Sequence, residues 1–159
     1  MLLVNQYSFL LVSLLLTGIV SLLVSKFVET RYVVILVVLM VSLLGFFHSQ
    51  FKTGDSHELT VNSFNEVLSS GKPLVIIVYS DMCIACLSAK PEIDNLELQL
   101  NKAINVFRVN VASELGKYLR SDYNSGMVPS FLVFDSNGKE IWRNNGSVPQ
   151  LDIIMGLKF

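Results

Sequence analysis

The chain has 159 residues, 12 Lys and Arg against 13 Asp and Glu, and a formal charge of −1 at pH 7. That balance excludes the electrostatic attraction that nucleic-acid binding needs, and a polybasic membrane patch with it. Two cysteines are too few for a disulfide framework, and at Cys-x-x-Cys spacing they point instead to redox or metal chemistry.

Hydrophobic residues crowd the first fifty positions. Met1 to Ser25 carries no charged side chain, and a second uncharged run follows from Tyr32 to about Phe51. Each reaches the length of about 20 apolar residues that crosses a bilayer. Joined by Lys26-Phe27-Val28-Glu29-Thr30-Arg31, they read as a two-helix transmembrane hairpin over residues 1–48, with the lipid bilayer as partner. The N-terminus lacks the basic start and the small-x-small site of a cleaved leader. Lys26 and Arg31 lie in the connecting loop and only Lys52 on the far flank, which places the loop in the cytoplasm and both termini outside. The rest of the chain is then expected on the extracytoplasmic, periplasmic side of the membrane.

Residues 49–57 read as a linker and 58–159 as one domain, large enough to fold alone. Glu58 to Val61 suggests a short edge strand, and Ser63-x-x-Glu66 a capping box opening a helix that Gly71 and Pro73 end. Leu74 to Tyr79 is a continuous apolar run, the pattern of a strand buried on both faces. A helix from Cys83 to about Asn101 contains Pro91. Asn105 to Val111 follows as a strand, then a short helix capped by Ser113 and running to Tyr118 or Leu119. Phe131 to Phe134 and Lys139 to Arg143 form a hairpin around Asp135-Ser136-Asn137-Gly138. A last helix, started by Ser147-Val148-Pro149-Gln150, ends near Gly156. The order predicts an α/β fold, a mixed central sheet flanked by helices. Arg108 reads as a solvated surface charge, Asp81 as a turn residue or a tuner of Cys83, and Trp142 as packing for the hairpin.

The chemistry concentrates at Cys83 and Cys86. Cys83 falls where a strand gives way to a helix, facing unpaired N–H groups and the positive end of the helix dipole, which favours a thiolate. Cys86, one turn along, is placed to attack a mixed disulfide formed at Cys83. The reading requires a Cys83 sulfur that is ionised and reachable. Zinc is the competing reading, but it needs four ligands, and the two histidines, His48 and His57, precede the domain. No metal and no cofactor is expected.

The apolar strand, Cys83-Ile84-Ala85-Cys86, Pro91 beyond it, Val128-Pro129-Ser130 about forty residues on, the Asp135–Gly138 turn and Gly146 before the last helix together resemble the thioredoxin family. The resemblance covers residues 58 to 157 and looks most like membrane-tethered reductases of the bacterial envelope. It implies Cys83 and Cys86 as catalytic residues, and a cis Val128–Pro129 bond in a substrate-binding loop of Met127, Val128 and Pro129. It also implies disulfide-containing protein substrates and a protein electron donor. Three departures stand out: Met82 replaces the family tryptophan, Ile77 replaces the buried acid, and Ile84-Ala85 lacks the histidine of strong oxidants. Without an imidazolium, and with Asp81 close by, a modestly lowered Cys83 pKa is expected. The expected activity is therefore disulfide reduction. Two other readings stay open: a binding or assembly factor using the same fold, and an oxidase recycled by a membrane partner.

Overall fold

A computed structural model describes residues 7–26, 29–50, 59–101 and 104–158, without the side chains of 30 and 47–50. Most of the expected linker, with His57 and Glu58, and part of the Lys26–Arg31 loop lie outside the described residues, as does the His48 side chain. The elements are α1 (Ser8–Val24), α2 (Thr30–Gln50), α3 (Val61–Leu68), β1 (Leu74–Tyr79), α4 (Ile84–Leu100), β2 (Asn105–Asn110), α5 (Glu114–Asp122), β3 (Ser130–Phe134), β4 (Glu140–Asn145) and α6 (Leu151–Met155).

One mixed sheet has the order β2-β1-β3-β4. β1 runs parallel to β2 with Leu74 opposite Asn105, and antiparallel to β3 with Ile77 opposite Phe131. β3 pairs antiparallel with β4, with an irregularity at Val133/Phe134. β1 and β3 are buried throughout because successive side chains feed two cores on opposite faces. Leu74, Ile76, Val78, Leu132 and Phe134 join Phe64 of α3, Leu115 and Leu119 of α5, and both cysteines. Val75, Ile77, Phe131 and Val133 join Ile93, Leu96 and Leu100 of α4 and Ile154 of α6. Trp142 packs on this second core, as its position in the hairpin suggests.

Several boundaries differ from the sequence reading. The edge strand expected at Glu58–Val61 is absent among the described residues. Val61 starts α3 instead, because Thr60 and Ser63 cap it reciprocally, each side chain accepting the other's backbone N–H. α5 runs on to Asp122. α6 starts after Gln150 rather than at Ser147, whose carbonyl accepts from Asn144 Nδ2 at 3.0 Å in the preceding turn.

The apolar N-terminus forms two helices in contact with each other. Among the described residues, no helix is long and apolar enough to cross a membrane. The expected transmembrane hairpin is therefore not found as such: α1 spans 17 residues, short of the about 20 a crossing needs. Its apolar side chains are nonetheless turned outward, with Leu14 67% and Leu22 71% exposed on α1 and Leu39 65% exposed on α2.

Arg108 is no solvated charge. Its guanidinium is largely buried beneath α4, donating to Glu97 (2.6 Å) and Asp94 (2.7 Å). Burial pushes the Asp94 carboxyl up, but Lys90 and Arg108 outweigh it and hold the group below its ordinary value. A depressed native pKa contributes stability above the unfolded-state value and loses it as pH falls through the native one. Asp94→Asn is therefore expected to lower the urea midpoint at pH 7 and to leave it nearly unchanged once the wild-type carboxyl is protonated. An equal loss at both pH values would assign the effect to packing.

Candidate functional site

β1 delivers the chain into a turn at Ser80–Met82. The Ser80 carbonyl accepts the Cys83 N–H at 3.2 Å, and Ser80 Oγ accepts the Met82 N–H at 3.2 Å. Cys83 then occupies the N-cap of α4 in an extended conformation, and its neutral thiol makes no capping bond. Cys86 lies one turn along, facing the first core. Both cysteines are free thiols in this structure.

The third side of the site is the Met127–Pro129 loop. The Val128–Pro129 bond is cis, and the Val128 carbonyl lies 3.7 Å from Cys83 Sγ, accepting from the thiol. Gly146 closes the loop from below. Its N–H donates to the Pro129 carbonyl at 2.7 Å with φ at +88°, a conformation that favours glycine. Val128 and Pro129 are buried, whereas Met127 is exposed.

Electrostatics separate the two thiols. Cys83 is lowered from 9.0 to about 6. The Cys86 thiol, donating to it, is the largest cause; burial opposes, and the N–H groups of Cys86 and Ala85 and the Ser8 hydroxyl add to the lowering. Cys86 is pushed up, first by that same bond to Cys83, then by burial, with the charges of Cys83 and Asp81 adding. Of the two thiols, Cys83 is therefore the one favoured to ionise, and Cys86 the one favoured to keep its proton. The depression of Cys83 exceeds the modest one expected because two hydroxyl or thiol donors serve it in addition to the helix.

Access departs from expectation. Cys83 has no solvent exposure. The start of α1 lies along the CxxC turn: the Phe9 N–H donates to the Met82 carbonyl at 2.9 Å, and Ser8 Oγ accepts the Ile84 N–H at 3.1 Å. Met82, in the place of the family tryptophan, lines an apolar cleft with Phe9, Ser13, Thr17 and Leu44 of the hairpin. Ile77, in the place of the family acid, is fully buried among the apolar residues of the second core, on the face away from the cysteines. Asp81 is the carboxylate that acts on Cys86, held by Asn110 Nδ2 at 3.0 Å. The sequence reading missed both Asn110 and Ser8. Asn110 is the last residue of the strand parallel to β1, a position that marks it as a neighbour of the turn; Ser8 carries no such signal. Among the described residues, no group of three or more His, Cys, Asp or Glu side chains is placed to hold a metal ion.

Known proteins agree with this geometry. The chain is 28% identical over 97 residues to the rice (Oryza sativa subsp. japonica) Thioredoxin-like protein HCF164, chloroplastic, covering 59% of this chain and 37% of that one. The Arabidopsis thaliana protein of the same name is 28% identical over 87 residues, covering 55% and 33%. The chain therefore spans about a third of the length of these relatives. In fold it is similar to Trxlp from Edwardsiella tarda EIB202, with a TM-score of 0.52 and 22% identity over 64% of this chain and 96% of that one. The sequence pattern of the Thioredoxin family matches residues 55–158, and with strand, CxxC turn and cis-proline loop in place across that span, the chain belongs to the thioredoxin family.

Proposed function

We propose that the protein is a membrane-tethered thiol–disulfide oxidoreductase that reduces disulfides in extracytoplasmic proteins. The observation that carries this reading is the geometry of the pair: Cys83 at the N-terminus of α4, against the cis Val128–Pro129 loop, with Cys86 one turn along; the surroundings lower Cys83 to about 6 and push Cys86 up. Cys83 thiolate attacks one sulfur of a substrate disulfide, forming a mixed disulfide and releasing the other substrate sulfur as a thiolate. Once Cys83 is bonded, the charge and the acceptor that held the Cys86 proton are gone. Cys86 then gives up its proton to the departing thiolate and attacks Cys83 Sγ, freeing the second substrate thiol. Two electrons have passed to the substrate, and the Cys83–Cys86 disulfide is reduced again by a dithiol protein donor. In this reading Met127 and Val128 present backbone to an extended substrate segment beside Pro129.

Magnitudes support the reducing direction. Thioredoxin's nucleophile has a pKa of about 7 and that of a strong oxidase about 3.5. At about 6, Cys83 stands nearer the first. Equilibration in thiol–disulfide buffers is expected to give a potential of about −200 to −270 mV, and one near −120 mV would reverse the electron flow. The tether rests on the outward apolar side chains of α1 and α2, which water would not tolerate over such an area without a cover. In this reading lipid supplies that cover, and the CxxC turn works at the membrane surface.

One observation favours a second reading, a binding factor whose cysteines do no chemistry: Cys83 is fully buried. The same titration decides, since a chain that forms no Cys83–Cys86 bridge at any poise is not an oxidoreductase.

A further inference from the structure

Ser8 lies outside the residues that match the family, yet its side chain reaches the centre of the site. A helix N-terminus leaves its first N–H groups without intrahelical partners, and an N-cap side chain normally takes one of them. Cys83 holds the N-cap of α4 and makes no such bond. The N–H of Ile84, the first residue of the helix, is taken instead by Ser8 Oγ at 3.1 Å, across 76 positions of sequence. A neighbouring main-chain bond, Phe9 N–H to the Met82 carbonyl at 2.9 Å, fixes the position of that hydroxyl.

From this geometry we infer that Ser8 is a positioning residue for Cys83, a cap supplied from the N-terminal hairpin that holds the resting nucleophile as a thiolate. A hydroxyl has one proton and two lone pairs. With a lone pair engaged by the Ile84 N–H, the hydroxyl of Ser8 is held beside the turn that carries Cys83 with its proton still to give, and a donor in that place favours the thiolate, the direction in which Ser8 acts on Cys83. The titratable group facing Cys83 is Cys86 on α4, itself faced by Asp81 on the turn, whereas the cis-proline loop contributes the uncharged Val128 carbonyl. The N-terminal helix is in this way part of the site: its first turn caps α4 and sets the surroundings of Cys83.

The inference rests on the redox reading of the cysteines, and its test is independent of that reading. The ultraviolet absorbance of the thiolate, followed between pH 4 and 8 on the full reduced chain, reports ionisation without a reagent having to reach the buried sulfur. Ser8→Ala is expected to raise the midpoint by about half a pH unit, roughly a threefold fall in thiolate at pH values below both midpoints. Ser8→Thr, which keeps the hydroxyl, restores it. Ser25→Ala, at the far end of α1 where the hydroxyl bonds the Leu22 carbonyl, leaves it unchanged. An unmoved midpoint in Ser8→Ala, or a shift that Ser8→Thr fails to reverse, overturns the role of Ser8. Failure of the oxidoreductase reading shows elsewhere, as a missing Cys83–Cys86 bridge.

Discussion

Cys86→Ala is expected to accumulate mixed disulfides through Cys83, and Cys83→Ser to form none and to lose disulfide-reducing activity by roughly three orders of magnitude or more. The asymmetry follows from the difference between the two thiols. With Cys83 lowered to about 6 and Cys86 pushed up, Cys83 is the one of the pair favoured to begin exchange on the proposed reading. Removing Cys86 also removes the largest cause of the low Cys83 pKa. The trapped species should therefore form more slowly at pH 6 than at pH 8, while the wild-type attack is nearly level across that range. Capture of disulfide-linked partners, resolved by non-reducing electrophoresis with and without a thiol, checks both variants. Equal trapping by the two variants, or none by either, removes the attacking and resolving roles.

The lowered pKa has a smaller effect on speed than on poise. From 9.0 to about 6, the thiolate fraction at pH 7 rises from about one in a hundred to about nine in ten. Nucleophilicity falls with pKa, at about 0.4–0.5 log unit per unit of pKa, so most of that gain in rate is returned. What survives is stabilisation of the reduced pair, which sets the redox potential. Burial of Cys83 acts the other way, and the Val128 carbonyl accepts only from its thiol form. On the proposed reading, these oppositions set the potential between that of a thioredoxin and that of a strong oxidase.

Local pattern carried much of the fold. Leu74–Tyr79 reads as a doubly buried strand because no polar residue interrupts it, and the two cores do divide its side chains by parity. Capping signals were less secure. Ser63-x-x-Glu66 and Thr60-x-x-Ser63 both place a hydroxyl three residues before a polar partner, and tertiary packing of Phe64 on Leu115 and Leu119 goes with the earlier start. Arg108 reads as solvated because edge strands expose charges, whereas Asp94 and Glu97 of the covering helix form its pocket only once α4 has docked. Ser8 was illegible for a stronger reason: a serine at the start of an apolar run looks like a helix cap for its own helix, and its partner is 76 positions away. The bond from the Phe9 N–H to the Met82 carbonyl is likewise a product of docking, with no trace in the CxxC motif.

Gly116→Ala is expected to destabilise the domain by about 3 kcal/mol, although alanine is the better helix former. A Cβ at Gly116 would stand 2.1 Å from the Asn110 carbonyl oxygen, 2.7 Å from Val111 Cα and 2.8 Å from Val111 C. All three are backbone atoms, so no flexible side chain can swing away. The helix-propensity gain of about 1 kcal/mol is too small to offset such a clash. Nor can the opposing strand end retreat freely. The Val111 N–H donates to the Tyr79 carbonyl at 2.8 Å, Asn110 Oδ1 accepts the Ala112 N–H at 2.9 Å, and Asn110 Nδ2 holds Asp81. Relief of the clash must therefore move α5 off the sheet or drag the turn that carries Cys83. Urea unfolding followed by tyrosine and tryptophan fluorescence measures the loss. A variant within about 0.5 kcal/mol of wild type would mean that α5 is not seated on the end of β2 as described, and that the Asp81–Asn110 contact behind Cys86 is looser than its 3.0 Å suggests.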